Sequence, residues 1–75
     1  MNKERRKLVK SAYDLMEKAK ANIEEALDEE QVCYDSLPEG IQCSDRGSEM
    51  EENIEQLQEC SDYLDEAMDA LDNII

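Results

Sequence analysis

A chain of 75 residues is one domain at most. Aromatic residues make up only 4%, Phe and Trp are absent, and the β-branched runs that suit strands are missing, so an all-α fold is expected. A net charge of −13 opposes direct binding to nucleic acid or to an anionic membrane surface over most of the chain.

The charge is unevenly placed. Residues 1–20 carry seven Lys/Arg and three Asp/Glu, a net of +4, while residues 21–75 carry one Arg and eighteen Asp/Glu, a net of −17. The basic start could suggest a nucleic-acid arm. The favoured reading places it beside the acidic end of a second helix in an antiparallel hairpin. The first helix is expected over about 3–35, with an apolar stripe of Val9, Ala12, Met16, Ala19, Ile23 and Ala26 that Glu30 interrupts before Cys33 and Leu37. Leu8 and Leu15 flank it on one side, and Tyr13, Leu27 and Tyr34 on the other. Three alanines on that stripe, one per heptad, would let another helix come close.

A loop is expected over about 36–44, with a short helical turn at 38–41. Ser36 to Glu39 has the S-x-x-E form of a capping box, with Pro38 in the tolerated first turn. Leu37 and Ile41 would fold inward over the end of the core, and Gly40 would stop the turn. Ser44 is the preferred cap of the second long helix, with Asp45 in its first turn and Gly47 tolerated there. Arg46 would pair with Asp45 or Glu49.

The second helix, about 45–73, is written in sevens: IEQLQEC, SDYLDEA, MDALDNI, with Leu57, Leu64 and Leu71 at equivalent places. Its stripe is Met50, Ile54, Leu57, Ser61, Leu64, Met68, Leu71 and Ile75, widened by Cys60, Tyr63, Ala67, Ala70 and Ile74. Apolar groups at strict seven-residue spacing mark a helix that packs along another helix, as in a coiled coil. Two helices of similar length would close an antiparallel hairpin with matched ends. The apolar faces exceed what one hairpin hides, and chains this short often need a second subunit. The expected architecture is therefore a hairpin that dimerises into a four-helix bundle. Its core and dimer residues would be Leu8, Ala12, Leu15, Met16, Ala19, Ile23, Ala26, Leu27, Ile54, Leu57, Leu64, Met68 and Leu71.

The residues offer little for catalysis. There is no histidine, hence no Ser/His/Asp or Cys/His set, and no phosphate-binding glycine loop. The three cysteines, Cys33, Cys43 and Cys60, form no C-x-x-C, and no stretch matches a calcium-binding loop. The acidic cluster Glu24, Glu25, Asp28 and Glu29 promises only nonspecific cation binding. A non-enzymatic protein without cofactor or metal site is expected. No apolar run reaches the length of a signal peptide or of a membrane span, which points to a reducing cytosol.

Two function classes remain. The chain is an interaction module that self-associates and offers an acidic outer face to a basic protein. Alternatively it mimics nucleic acid and occupies the groove of a nucleic-acid-binding protein. Either use would employ the row Glu55, Glu59, Asp62, Asp65, Glu66, Asp69 and Asp72. A strongly acidic surface also serves solubility alone.

The segment from Leu37 through Pro38, Glu39, Gly40, Ile41, Gln42, Cys43, Ser44, Asp45 and Arg46 to Gly47, followed by Met50 and the Ile54/Leu57 heptads, resembles small acidic helical proteins encoded by phages and prophages of Gram-positive bacteria. The basic stretch Asn2 to Lys7 fits the same group. The resemblance implies a bacterial cytoplasm and a role in counter-defence or host takeover. It assigns no role to any residue.

Overall fold

A computed structural model describes residues 1–75. It contains three helices and no strand: α1 (Lys3–Asp35), α2 (Glu39–Gln42) and α3 (Asp45–Asp72). The two long helices pack against each other as an antiparallel hairpin, and the fold is all-α as expected. The molecule is a rod of 58 × 14 × 13 Å with a radius of gyration of 17.1 Å, against about 11 Å for a globular domain of this length. No helix is long and apolar enough to cross a membrane.

Local chemistry places the helix ends. No Gly or Pro interrupts residues 3–35, and the Asn2 side chain caps α1 by accepting from the Arg5 backbone N–H at 2.8 Å. At the other end the Ser36 N–H and hydroxyl both donate back to the Val32 carbonyl, at 3.1 and 2.8 Å. The capping box expected at Ser36 therefore does not form, because that hydroxyl is spent on closing α1. Pro38 stands at the N-cap of α2 instead, with no side-chain hydrogen bond. Gly40 does not stop the turn. It lies inside α2 without a positive φ, and Cys43 is the C-cap. Ser44 is the N-cap of α3, but its hydroxyl donates to the Ile41 carbonyl and caps no α3 amide.

The seam of the hairpin differs from the expected stripe on α1 by one residue. On α3 it runs through Gly47, Met50, Ile54, Leu57, Ser61, Leu64, Met68 and Leu71, all buried or half-buried. On α1 the inward residues are Val9, Tyr13, Met16, Lys20, Ile23, Leu27, Glu30, Tyr34 and Leu37, each half-buried. Both rows alternate steps of three and four, the pattern of a two-stranded coiled coil. Ala19, Ala26 and Cys33 are exposed, and Ala12 is half-buried at the edge. Tyr13, Leu27 and Tyr34 cover more apolar area than Ala12, Ala26 and Cys33 beside them, and burial scales with that area. Of the two residues expected to close the loop end, Leu37 is half-buried while Ile41 is 40% exposed.

Two hydrogen bonds across the seam define one register. The Lys20 ammonium donates to Asp65, and the Tyr34 hydroxyl donates to Glu51 Oε1 at 3.0 Å. Both pairs are spaced two heptads apart on their helices, so no slip separates them. Continued toward the termini, this register sets Lys10 level with Ile75. The ends are not matched: the stretch from Lys3 to Leu8 projects past α3. Met1–Leu8 are accordingly all exposed.

Candidate interaction surfaces

The register gives the rod two unlike long sides. Lys20 and Tyr34 reach Asp65 and Glu51 on one of them. The residues following the seam on that side are mostly charged: Asp14, Glu17, Glu24 and Asp28 on α1, and Glu55, Asp62, Asp69 and Asp72 on α3. The opposite side is lined by residues that precede the seam. On α1 these are Leu8, Ala12, Leu15, Ala19 and Ala26; on α3 they are Cys60, Tyr63, Ala67, Ala70 and Ile74. In an antiparallel pair such positions from both helices share one face. From Leu8 to Ala26, and from Cys60 to Ile74 alongside, that face carries no charge, and the polar residue within it is Asn22. Its large side chains are open: Leu8 is 71% exposed, Leu15 63%, Tyr63 66% and Ile74 44%.

The thirteen residues expected to form the core and dimer contacts thus divide. Met16, Ile23, Leu27, Ile54, Leu57, Leu64, Met68 and Leu71 line the seam, while Leu8, Leu15, Ala19 and Ala26 lie on the uncharged outer face with Ala12 at its edge. In the acidic row, Glu55, Glu59, Asp62, Glu66, Asp69 and Asp72 are exposed, and Asp65 is half-buried. Asp65 is the member partly covered, because it accepts from Lys20, though half of its side chain stays open to solvent. From Glu55 to Asp69 the five exposed members of the row, Asp65 left aside, offer one carboxylate per about 5 Å of helix at 1.5 Å per residue. The phosphates of a DNA strand recur every 3.4 Å or so along the axis.

The positioning residues that sequence reasoning missed are Lys20, Tyr34, Gln42 and Gly47. Lys20 also lies 3.7 Å from Glu24, one turn along α1. The hydrogen bond to Asp65, then its charge and that of Glu24, hold the Lys20 ammonium above the usual lysine range. The bond to Glu51, with partial desolvation, likewise raises Tyr34. Gln42 Nε2 donates to the Tyr34 carbonyl at 2.9 Å and ties α2 to the end of α1. Gly47 is buried where α3 starts. A three-four template continued through Tyr13, Lys20, Leu27 and Tyr34 would have found the first two.

Arg46 forms neither of the ion pairs expected with Asp45 or Glu49, since both ion pairs of the chain belong to Lys20. An exposed pair gains little in water. Cys33, Cys43 and Cys60 are free and exposed, so none acts as a small buried hydrophobe. No group of three or more His, Cys, Asp or Glu side chains is arranged to hold a metal ion. The surface depressions are shallow, each lined by four or five residues with Asp or Glu among them. Comparison with protein-family models, with curated proteins and with solved structures gives no match.

Proposed function

We propose that this chain is a non-enzymatic, acidic protein-interaction module that works as a homodimer of helical hairpins. The observation that carries the reading is how little one hairpin buries. Three of 75 residues are buried, and Met68 is the one large hydrophobic among them. Burying one leucine-sized side chain contributes about 1.5–3 kcal/mol, so covering the uncharged face would add substantially to a marginal fold. The acidic side then remains outward for a basic protein of the host cell, with no direct contact to nucleic acid or membrane. The resemblance of the loop region to phage and prophage proteins supports a bacterial cytoplasmic setting. Size-exclusion chromatography with light scattering tests the dimer. Two chains' mass at micromolar concentration is expected, and one chain's mass would remove the reading.

A second reading is favoured by the row from Glu55 to Asp72, whose exposed carboxylates form no ion pair. It would act as a nucleic-acid mimic that blocks a nucleic-acid-binding protein, in anti-defence or host takeover. A pull-down from a bacterial host at low and high salt separates the two. Recovery of a basic nucleic-acid-binding protein at low salt alone would favour the mimic, because such contacts weaken steeply with salt.

A further inference from the structure

We propose that a second copy of the chain covers the uncharged face in an antiparallel arrangement, with the basic start of each chain seated against the acidic midsection of the other. The proposal rests on the homodimer reading above and adds the face, the direction and the register.

Exposed area calls for a cover of the right size. The chain exposes 5780 Å², whereas a folded monomer of 8.6 kDa exposes about 4,700 Å² by the usual scaling. The excess, about 1,100 Å², matches the ~800 Å² that each partner gives to an interface of standard size. The uncharged face is the stretch that can donate it. Its other long side is crowded with carboxylates that would repel their own copies.

Direction follows from charge. Lys3, Arg5, Arg6, Lys7 and Lys10 stand at one end of the rod, and Asp28, Glu29, Glu30, Glu51 and Glu52 lie toward the other. Parallel copies would bring cations against cations and acids against acids. Antiparallel copies bring each basic end to an acidic stretch.

Register follows from side-chain size, and it agrees with the charge. The uncharged stretch of α1 runs from Leu8 to Ala26, so its midpoint is level with Glu17. A two-fold axis at that level lays Leu15 over the partner's Ala19 and Leu8 over the partner's Ala26, large against small each time. On α3 it sets Tyr63 beside the partner's Ile74. The same axis, with no further adjustment, brings residues 3–7 alongside residues 27–31 of the partner, where Asp28, Glu29 and Glu30 lie. Such a pairing is isologous and closed, so it stops at two copies.

The test uses the full chain with Cys33, Cys43 and Cys60 changed to Ser, carrying a spin label at Glu4→Cys or, separately, at Gln31→Cys. In the antiparallel dimer the paired labels stand about 40 Å apart at either site, at 1.5 Å rise per residue. A parallel dimer would instead hold like labels side by side, within about 20 Å given 8–10 Å between packed helices. Two chains' mass with the long distance at both sites is the expected result. Two chains' mass with short distances overturns the direction and leaves the homodimer standing, while one chain's mass overturns both. Leu15→Glu tests the face, and it should give one chain's mass with helicity retained, because Leu15 is 63% exposed in the hairpin itself. Val32→Glu, equally open at 65% but off this face, should remain a dimer. A Leu15→Glu protein that stays dimeric would overturn the assignment of the face.

Discussion

Gly47 is buried so closely against Gln42 that a Cβ at position 47 would stand 2.7 Å from the Gln42 Cα, with the Gln42 carbonyl nearer still. The start of α3 thus rests on the backbone of α2. Glycine here is a requirement of packing, since its φ is ordinary. Gly47→Ala should gain roughly 1 kcal/mol in helix propensity and lose more to overpacking, about 1–3 kcal/mol. A lower thermal midpoint by circular dichroism is expected. Gly40→Ala is the contrast, because a Cβ there meets nothing within 4 Å. That variant should melt at the wild-type temperature or slightly above it.

Gln42 also joins the turn to α1 through its bond to the Tyr34 carbonyl, 2.9 Å long and partly buried. Gln42→Ala removes the donor and leaves that carbonyl without it. A loss of about 0.5–1.5 kcal/mol is expected in urea unfolding, as for a typical intramolecular hydrogen bond. An unchanged midpoint would show that water replaces the amide at no cost.

Alkaline pH should loosen the hairpin. The hydrogen bond to Asp65 is the first cause holding Lys20 above its ordinary 10.5, and the bond to Glu51 holds Tyr34 above its ordinary 10.0. Both groups bind their protons more tightly when folded. Their contribution is complete below the unfolded values and is lost as pH rises through the raised folded ones. The thermal midpoint should therefore fall above about pH 10. Tyr34→Phe should show a shallower fall, and the same slope in both proteins would count against the Tyr34 contribution.

Lys20 occupies a seam position between Met16 and Ile23, where its aliphatic stem lies along the apolar row and its head reaches Asp65. A polar residue at such a position specifies register at a cost in stability. Lys20→Leu should raise the melting temperature. It should also broaden the distance distribution between labels on α1 and α3, because slipped pairings are no longer penalised. A lower melting temperature would mean that the ion pair outweighs the burial it displaces.

The leucines at 57, 64 and 71, the cap at Ser44 and the break around Pro38 make the two-helix, all-α hairpin legible in the sequence. The acidic row along α3 was equally legible for Glu55, Glu59, Asp62, Glu66 and Asp69, which point away from the leucines on a regular helix, whereas Asp65 directly follows Leu64 and is half-buried. The α1 stripe was harder. Ala12, Ala19, Ala26 and Cys33 precede Tyr13, Lys20, Leu27 and Tyr34 by one position each, and either row completes a three-four pattern with Val9, Met16, Ile23 and Glu30. A lysine in the second row made it look polar.

The residues alone determined that two long amphipathic helices form and fold back on each other, because helix periodicity and breakers act locally. Only the tertiary structure decided which of two neighbouring rows on α1 faces α3, since that choice turns on the area each row buries and on Asp65 being within reach of Lys20. The tertiary structure alone also decided how far the helices slide. Neither helix records that slide, which depends on the turn through α2 and on the close approach of Gly47 to Gln42. The slide leaves the basic start projecting past α3, and it gathers the alanines and leucines of α1 with Tyr63 and Ile74 on one uncharged side.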